Sequence, residues 1–196
     1  MRTRLALFLL MLLMPFTAVQ AEWAEDNLMG LFFSDTEFTS LNTMFETEPV
    51  PFESYIVAIN PEVSSISGYE VSINIPDPAV FLLSVSGPNG WTNFGDSVNH
   101  LAGFGTPVPV TSNTAVLSTI RLLYAGHDEI YISFGAATPP SIPDHDGPVI
   151  ANGANPDILI PCMTTYFGTP SGFVAVLNPQ VAVETTSLSR VKSLFR

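Results

Sequence analysis

The sequence predicts an all-β fold of two antiparallel sheets packed face to face. Three observations carry that prediction. Short apolar stretches recur along the chain, separated by turn residues, and long helical periodicity is missing. The 17 prolines and 13 glycines interrupt the chain too often for long helices. Residues 67–75 alternate Tyr69, Val71, Ile73 and Ile75 with Glu70, Ser72 and Asn74, the period of a strand with one wet face. Many short strands with no helices between them bury their apolar faces only sheet against sheet.

Residues 1–21 stand apart from that pattern. Arg2 and Arg4 precede an apolar run over residues 5–16, and Val19, Gln20 and Ala21 form a small-residue cleavage pattern. The segment reads as a secretory signal peptide, with Glu22 as the first mature residue. The apolar run is shorter than the about 20 residues of a membrane span. No Cys follows it to carry a lipid anchor.

The predicted sandwich domain is residues 22–183, with strands at 27–33, 52–60 and 67–75. Asn60-Pro61 closes the second strand, and Pro76 and Pro78 close the third. Residues 80–86 follow, then the turn Gly87-Pro88-Asn89-Gly90, then shorter strands at 91–94 and 100–105. Gly126, His127 and Asp128 turn the apolar stretch 115–125 into 129–134, which predicts a hairpin. After a Pro-rich segment, 138–148, come 149–152, 158–165 and 173–178; counting at most one of the two shorter stretches, 91–94 and 100–105, that makes nine or ten strands. The predicted core stripes are Tyr55, Val57 and Ile59; Val71, Ile73 and Ile75; Leu117, Ile120 and Leu122; and Val174 and Val176. Stretches 36–51 and 138–148 read as linkers too short to divide the domain. In the tail, 184–196, Leu188, Val191, Leu194 and Phe195 fall at helical spacing with Arg190, Lys192 and Arg196 between them. That predicts a short basic amphipathic helix, docked on its own domain or serving as an address.

Charge excludes some partners. The chain has 18 acids against 6 Lys plus Arg, a net of −12. Removing residues 1–21 takes away two bases and no acid, leaving 4 against 18, a net of −14. Between Glu22 and Ser189 the one basic residue is Arg121. Such a surface disfavours nucleic acid and anionic membrane, because phosphate binding depends on Lys and Arg. It suits solubility outside the cell, cation binding or a basic partner. Cys162 is the single Cys, so no intramolecular disulfide staples the fold. The absence of Asn-x-Ser/Thr sequons alongside this fits a bacterial exported protein.

Stretches Tyr55-Ile-Val-Ala-Ile-Asn-Pro61 and Gly68-Tyr-Glu-Val-Ser-Ile-Asn-Ile75 resemble the opening of a cohesin-type β-sandwich. Residues 115–124 with 128–134 resemble the later paired strands of that family, and 173–178 its closing strand. The resemblance spans about residues 27–178 and implies a cohesin- or immunoglobulin-like sandwich that binds a partner without catalysis. The tail, Ser189 to Arg196, resembles the ends of uncharacterised secreted bacterial proteins, which implies export.

Catalytic constellations are sparse. The three histidines, His100, His127 and His145, form no His-Glu-x-x-His motif, and Gly168-Thr-Pro-Ser-Gly172 has the wrong spacing for a nucleophile elbow. Cys162 lies in an apolar stretch and reads as a buried small residue. No pair of the 18 acids stands out as the two carboxylates that glycoside hydrolysis needs. Asp144-His145-Asp146-Gly147, with Asp157, is the most site-like cluster, since alternate carboxylates before a Gly wrap Ca²⁺. Its plainer reading is a polar turn. Trp91, Phe94 and Phe104 sit in a Gly-rich region and could stack on sugar rings or close the sandwich core. The leading expectation is therefore an exported, non-catalytic module for protein interaction or extracellular structure, with a protein or polysaccharide partner, secreted or held at the cell surface or in the periplasm. A carbohydrate-binding module comes second and a secreted glycoside hydrolase third.

Overall fold

The computed structural model describes residues 25–38, 43–44, 49–166 and 168–179. The expected signal peptide (1–21) and basic tail (184–196) lie outside the described residues. The strands in chain order are β1 Leu28–Phe32, β2 Thr43–Met44, β3 Phe52–Ile59, β4 Ser65–Asn74, β5 Val80–Ser86, β6 Thr92–Asn93 and β7 Asn99–Pro109. They continue with β8 Thr114–Tyr124, β9 Ile130–Gly135, β10 Val149–Asn152, β11 Leu159–Pro161, β12 Met163–Thr164 and β13 Gly172–Leu177. Three of the thirteen, β2, β6 and β12, have two residues each, so ten longer strands match the nine or ten expected.

They form two sheets. The smaller runs β12-β1-β3-β8-β5, and the larger β11-β10-β4-β9-β13-β2. In the larger sheet β7 lies along one edge of β4, with β6 beyond it, while β10 and then β9 share the opposite edge. Pairing among the described residues is antiparallel except for β1 with β12 and β13 with β2. Tyr69, Val71 and Ile73 of β4 face Leu117, Ile120, Leu122 and Tyr124 of β8 across the core.

Local irregularities set which side chains face inward. Leu117 and Ile120 are three apart, yet both are buried. The β3–β8 register shifts there, with Ile56 opposite Ser118 and Val57 opposite Val116, so a bulge at Leu117 resets the alternation. A similar shift in β13 turns Val174, Ala175 and Leu177 to the core. Val176, expected in that stripe, is buried but lies outside this cluster.

Three expectations are corrected. In β3, Ile56 and Ala58 face the inter-sheet core, whereas Val57 and Ile59 join Leu28, Phe32, Phe38 and Tyr55 in a second cluster on the other side of the sheet. Residues 56–59 are all buried, so no alternation marks the inner face. The 115–134 hairpin does not form either. β8 is already paired on both edges, by β3 and β5, and β9 joins the other sheet. The Tyr124 hydroxyl donates to the Asp128 carbonyl at 2.8 Å and fixes the corner between sheets. Gly126 is required there, because a Cβ would lie 2.6 Å from the Tyr124 ring. Finally, 158–165 is two strands, β11 in the larger sheet and β12 in the smaller, with the switch at Cys162.

Candidate functional site

The turn before β6 places the first candidate, Trp91. Asn89 and Gly90 both have positive φ, and Trp91 N–H donates to the Pro88 carbonyl at 3.0 Å. That is a tight turn of the kind that joins antiparallel strands. It folds the indole back against Gly87, where a Cβ would lie 2.4 Å from the ring. Trp91 then packs against the core, as does Phe104, whose ring lies 6.1 Å from that of Tyr69.

Beneath Trp91 lies a buried polar knot. His100 and Tyr69 are 0% and 2% exposed. His100 Nε2 lies 3.2 Å from the Ser97 carbonyl, which can only accept, so Nε2 carries a proton. Burial lowers the His100 pKa and keeps the ring neutral, despite the Ser97 bond and the nearby Asp96 charge. Nδ1 is then an acceptor, and the Tyr69 hydroxyl donates to it at 3.0 Å. Trp91 Nε1–H donates to the Tyr69 oxygen at 3.3 Å. Burial pushes the Tyr69 phenol up to about 12, against the opposing effect of its Ser118 and Trp91 neighbours. No nucleophile is among these partners of His100.

Phe94 is different. It is 79% exposed, at the tip of a loop that its neighbours lock. Asn93 Oδ1 accepts from Gly95 N and Leu101 N, and Phe94 N donates to the Leu101 carbonyl. Asp96 Oδ1 accepts from Val98 N and Asn99 N, each at 2.8 Å, and these bonds lower its pKa. Asn99 exchanges two 2.8 Å bonds with the Thr138 backbone. Gly95 admits no side chain, since a Cβ would lie 1.9 Å from the Asn99 carbonyl.

This loop forms one wall of a shallow groove of about 260 Å³ on the outer face of the larger sheet. Gly68, Gly103 and Ala151 are among its lining, with Leu101, Leu159 and Phe94 around them and Glu70 as its one carboxylate. Glu70 is held by the backbone N–H and hydroxyl of Ser141. A Cβ on Gly103 would meet nothing within 4 Å, so its missing side chain leaves open floor. The fold thus presents only Phe94 of the three aromatic candidates.

Asp144, Asp146 and Asp157 are all exposed. Asp144 has positive φ, and the Asp146 carbonyl accepts from Ala136 N at 2.7 Å, so both serve the turn. Among the described residues no three His, Cys, Asp or Glu side chains converge as a metal cluster. His127 is exposed, and His145 Nε2 lies 3.0 Å from the Pro148 carbonyl. Cys162 is buried, which pushes its thiol up to about 12.

No protein-family model matches the chain, and no curated protein matches its sequence. Solved structures do match its shape. The sixth cohesin of Acetivibrio cellulolyticus scaffoldin B, solved with a dockerin, superposes with TM-score 0.50 at 8% identity. The match covers 80% of this chain and 100% of that one. The chain has a cohesin-like fold. A type II cohesin domain from the cellulosome of the same organism gives TM-score 0.47 at 15% identity, over 79% of this chain and 96% of its own. The first of these superpositions shows the cohesin-like sandwich that the sequence leads one to expect.

Sequence reasoning missed the groove. Gly68, Leu101, Gly103 and Leu159 come from β4, β7 and β11 and share a surface only through strand pairing. The available signal was glycine within apolar strand sequence, which marks bulges and close backbone approach.

Proposed function

We propose that this chain is an exported, non-catalytic module that docks a protein partner on the outer face of its larger sheet. The observation that carries this reading is Phe94, a large apolar side chain 79% exposed on a loop fixed by hydrogen bonds beside an apolar groove. Burying such a side chain is worth about 1.5–3 kcal/mol, and a fixed loop loses little entropy on binding. Pockets that enclose small ligands are about 300–1,000 Å³; this groove is smaller and open, better suited to a protruding side chain. The similar cohesin was solved in complex with a dockerin, so the fold serves module-to-module docking in that protein. Export rests on the signal-peptide pattern of residues 1–21 and implies a site of action in the periplasm, at the cell surface or beyond.

The test is affinity capture from the extracellular and envelope fractions of the producing cells, comparing wild type with Phe94→Asp. A protein retained by wild type and lost from the variant, with both melting at the same temperature, is the expected result. Equal retention removes this face from the binding reaction. A polysaccharide panel run beside it uses Phe94→Ala, because Trp91→Ala would also damage the core. A glycan-induced rise in Tm lost in Phe94→Ala would favour carbohydrate binding.

A further inference from the structure

The docking reading leaves the chemistry of the partner open, and the charges around the groove narrow it. Glu70 lines the groove. Exposed Asp96 lies two residues beyond Phe94 on one wall, and exposed Asp157 two residues before Leu159 on the other. Arg121 is the only Lys or Arg among the described residues, and it lies on β8 in the opposite sheet. No described cation therefore meets these carboxylates from within their own sheet.

We infer, on the basis of the docking reading above, that the groove selects a polypeptide whose apolar anchor side chain is flanked by Lys or Arg. The anchor sits over Gly103, where an added Cβ would meet no atom within 4 Å, between Phe94, Leu101 and Leu159. The flanking cations reach Asp96 and Asp157 at the two ends. The same carboxylates reject an acidic partner, since like charges brought together at an interface are strongly unfavourable. Apolar contact supplies the affinity and the rim supplies the choice.

Two synthetic amphipathic helical peptides serve as probes, sharing one leucine face and carrying either lysines or glutamates beside it. Binding to the full chain is followed by anisotropy and by amide chemical shifts. The lysine peptide is expected to bind, perturbing Phe94, Leu101 and Gly103, and the glutamate peptide is not. Gly103→Ala adds a Cβ that meets no atom within 4 Å and should weaken the lysine peptide at least severalfold with no fall in Tm. Asp157→Lys should weaken it severalfold and flatten its salt dependence. Shift changes away from the groove, or equal binding of both peptides, overturn the inference. The captured partner separates this failure from that of docking itself. A partner that depends on Phe94 but is indifferent to salt and to Asp157→Lys leaves docking intact and removes the charge rule.

Discussion

At the scale of single residues, the Tyr69–His100–Trp91 knot makes a pH-linked prediction. His100 is held neutral by burial, so its folded pKa lies below its ordinary value of 6.5. The unfolded chain then binds the extra proton first. Its stabilising contribution is complete above pH 6.5 and is lost as pH falls from there through the folded pKa. Asp96 is also depressed, but its contribution fades only as pH drops below the ordinary 3.8, so it adds nothing to the upper part of the window beneath 6.5. Urea unfolding across that window should show stability declining in wild type and a flatter profile in His100→Asn, which keeps a polar atom near Nδ1 but does not titrate. Matching slopes would assign the decline to other groups. Tyr69→Phe strands the Trp91 N–H and the imidazole Nδ1 and should cost about 1–3 kcal/mol, read as a lower urea midpoint. Cys162 offers a second check: buried, with its thiol raised to about 12, it should resist a thiol reagent in the native chain and react on unfolding.

Single absent side chains shape the elements in turn. Gly126→Ala drives a methyl group into the Tyr124 ring at the corner between β8 and β9, and should cost about 1–3 kcal/mol by overpacking, measurable as a fall in Tm. Gly95→Ala acts more locally. It cannot fit against the Asn99 carbonyl, so the expected outcome is a displaced Phe94 and weakened partner capture with most of the stability kept. These corners also explain what the sequence could convey. Strands β4, β5 and β10 were legible almost to the residue, because alternation or turn residues bound them. The face of β3 was not, because it is buried on both sides. The 115–134 pairing misled because a Gly-His-Asp turn serves a crossover between sheets as well as a hairpin, and the edges of β8 were claimed by strands distant in sequence. For the groove, Phe94 was legible as a candidate, while its companions depended on register among β4, β7, β10 and β11, which no local pattern encodes.

For the whole molecule, charge is the dominant surface property. The chain carries a net −12, and a lone cation, Arg121, serves all the described residues. Carboxylates therefore repel one another with little compensation, and compaction brings them closer than they are in the unfolded chain. Added salt shortens the range of that repulsion to about 8 Å at physiological ionic strength. Stability should consequently rise with sodium chloride, a salt with little of sulfate's effect on apolar burial. Thermal melts at increasing sodium chloride should move to higher Tm, and a flat or falling series would mean that the acids are too far apart to interact. Calcium chloride at matched ionic strength separates screening from binding. Equal rises in the two salts indicate screening alone. An additional rise with calcium, lost in both Asp144→Asn and Asp146→Asn, would indicate an ion held by the loop between β9 and β10, because a ligand that binds only the folded state stabilises it by mass action. Asp157→Asn completes the set, since its place between β10 and β11 puts it in a separate turn, and loss of the calcium increment there would require the two turns to close on one ion.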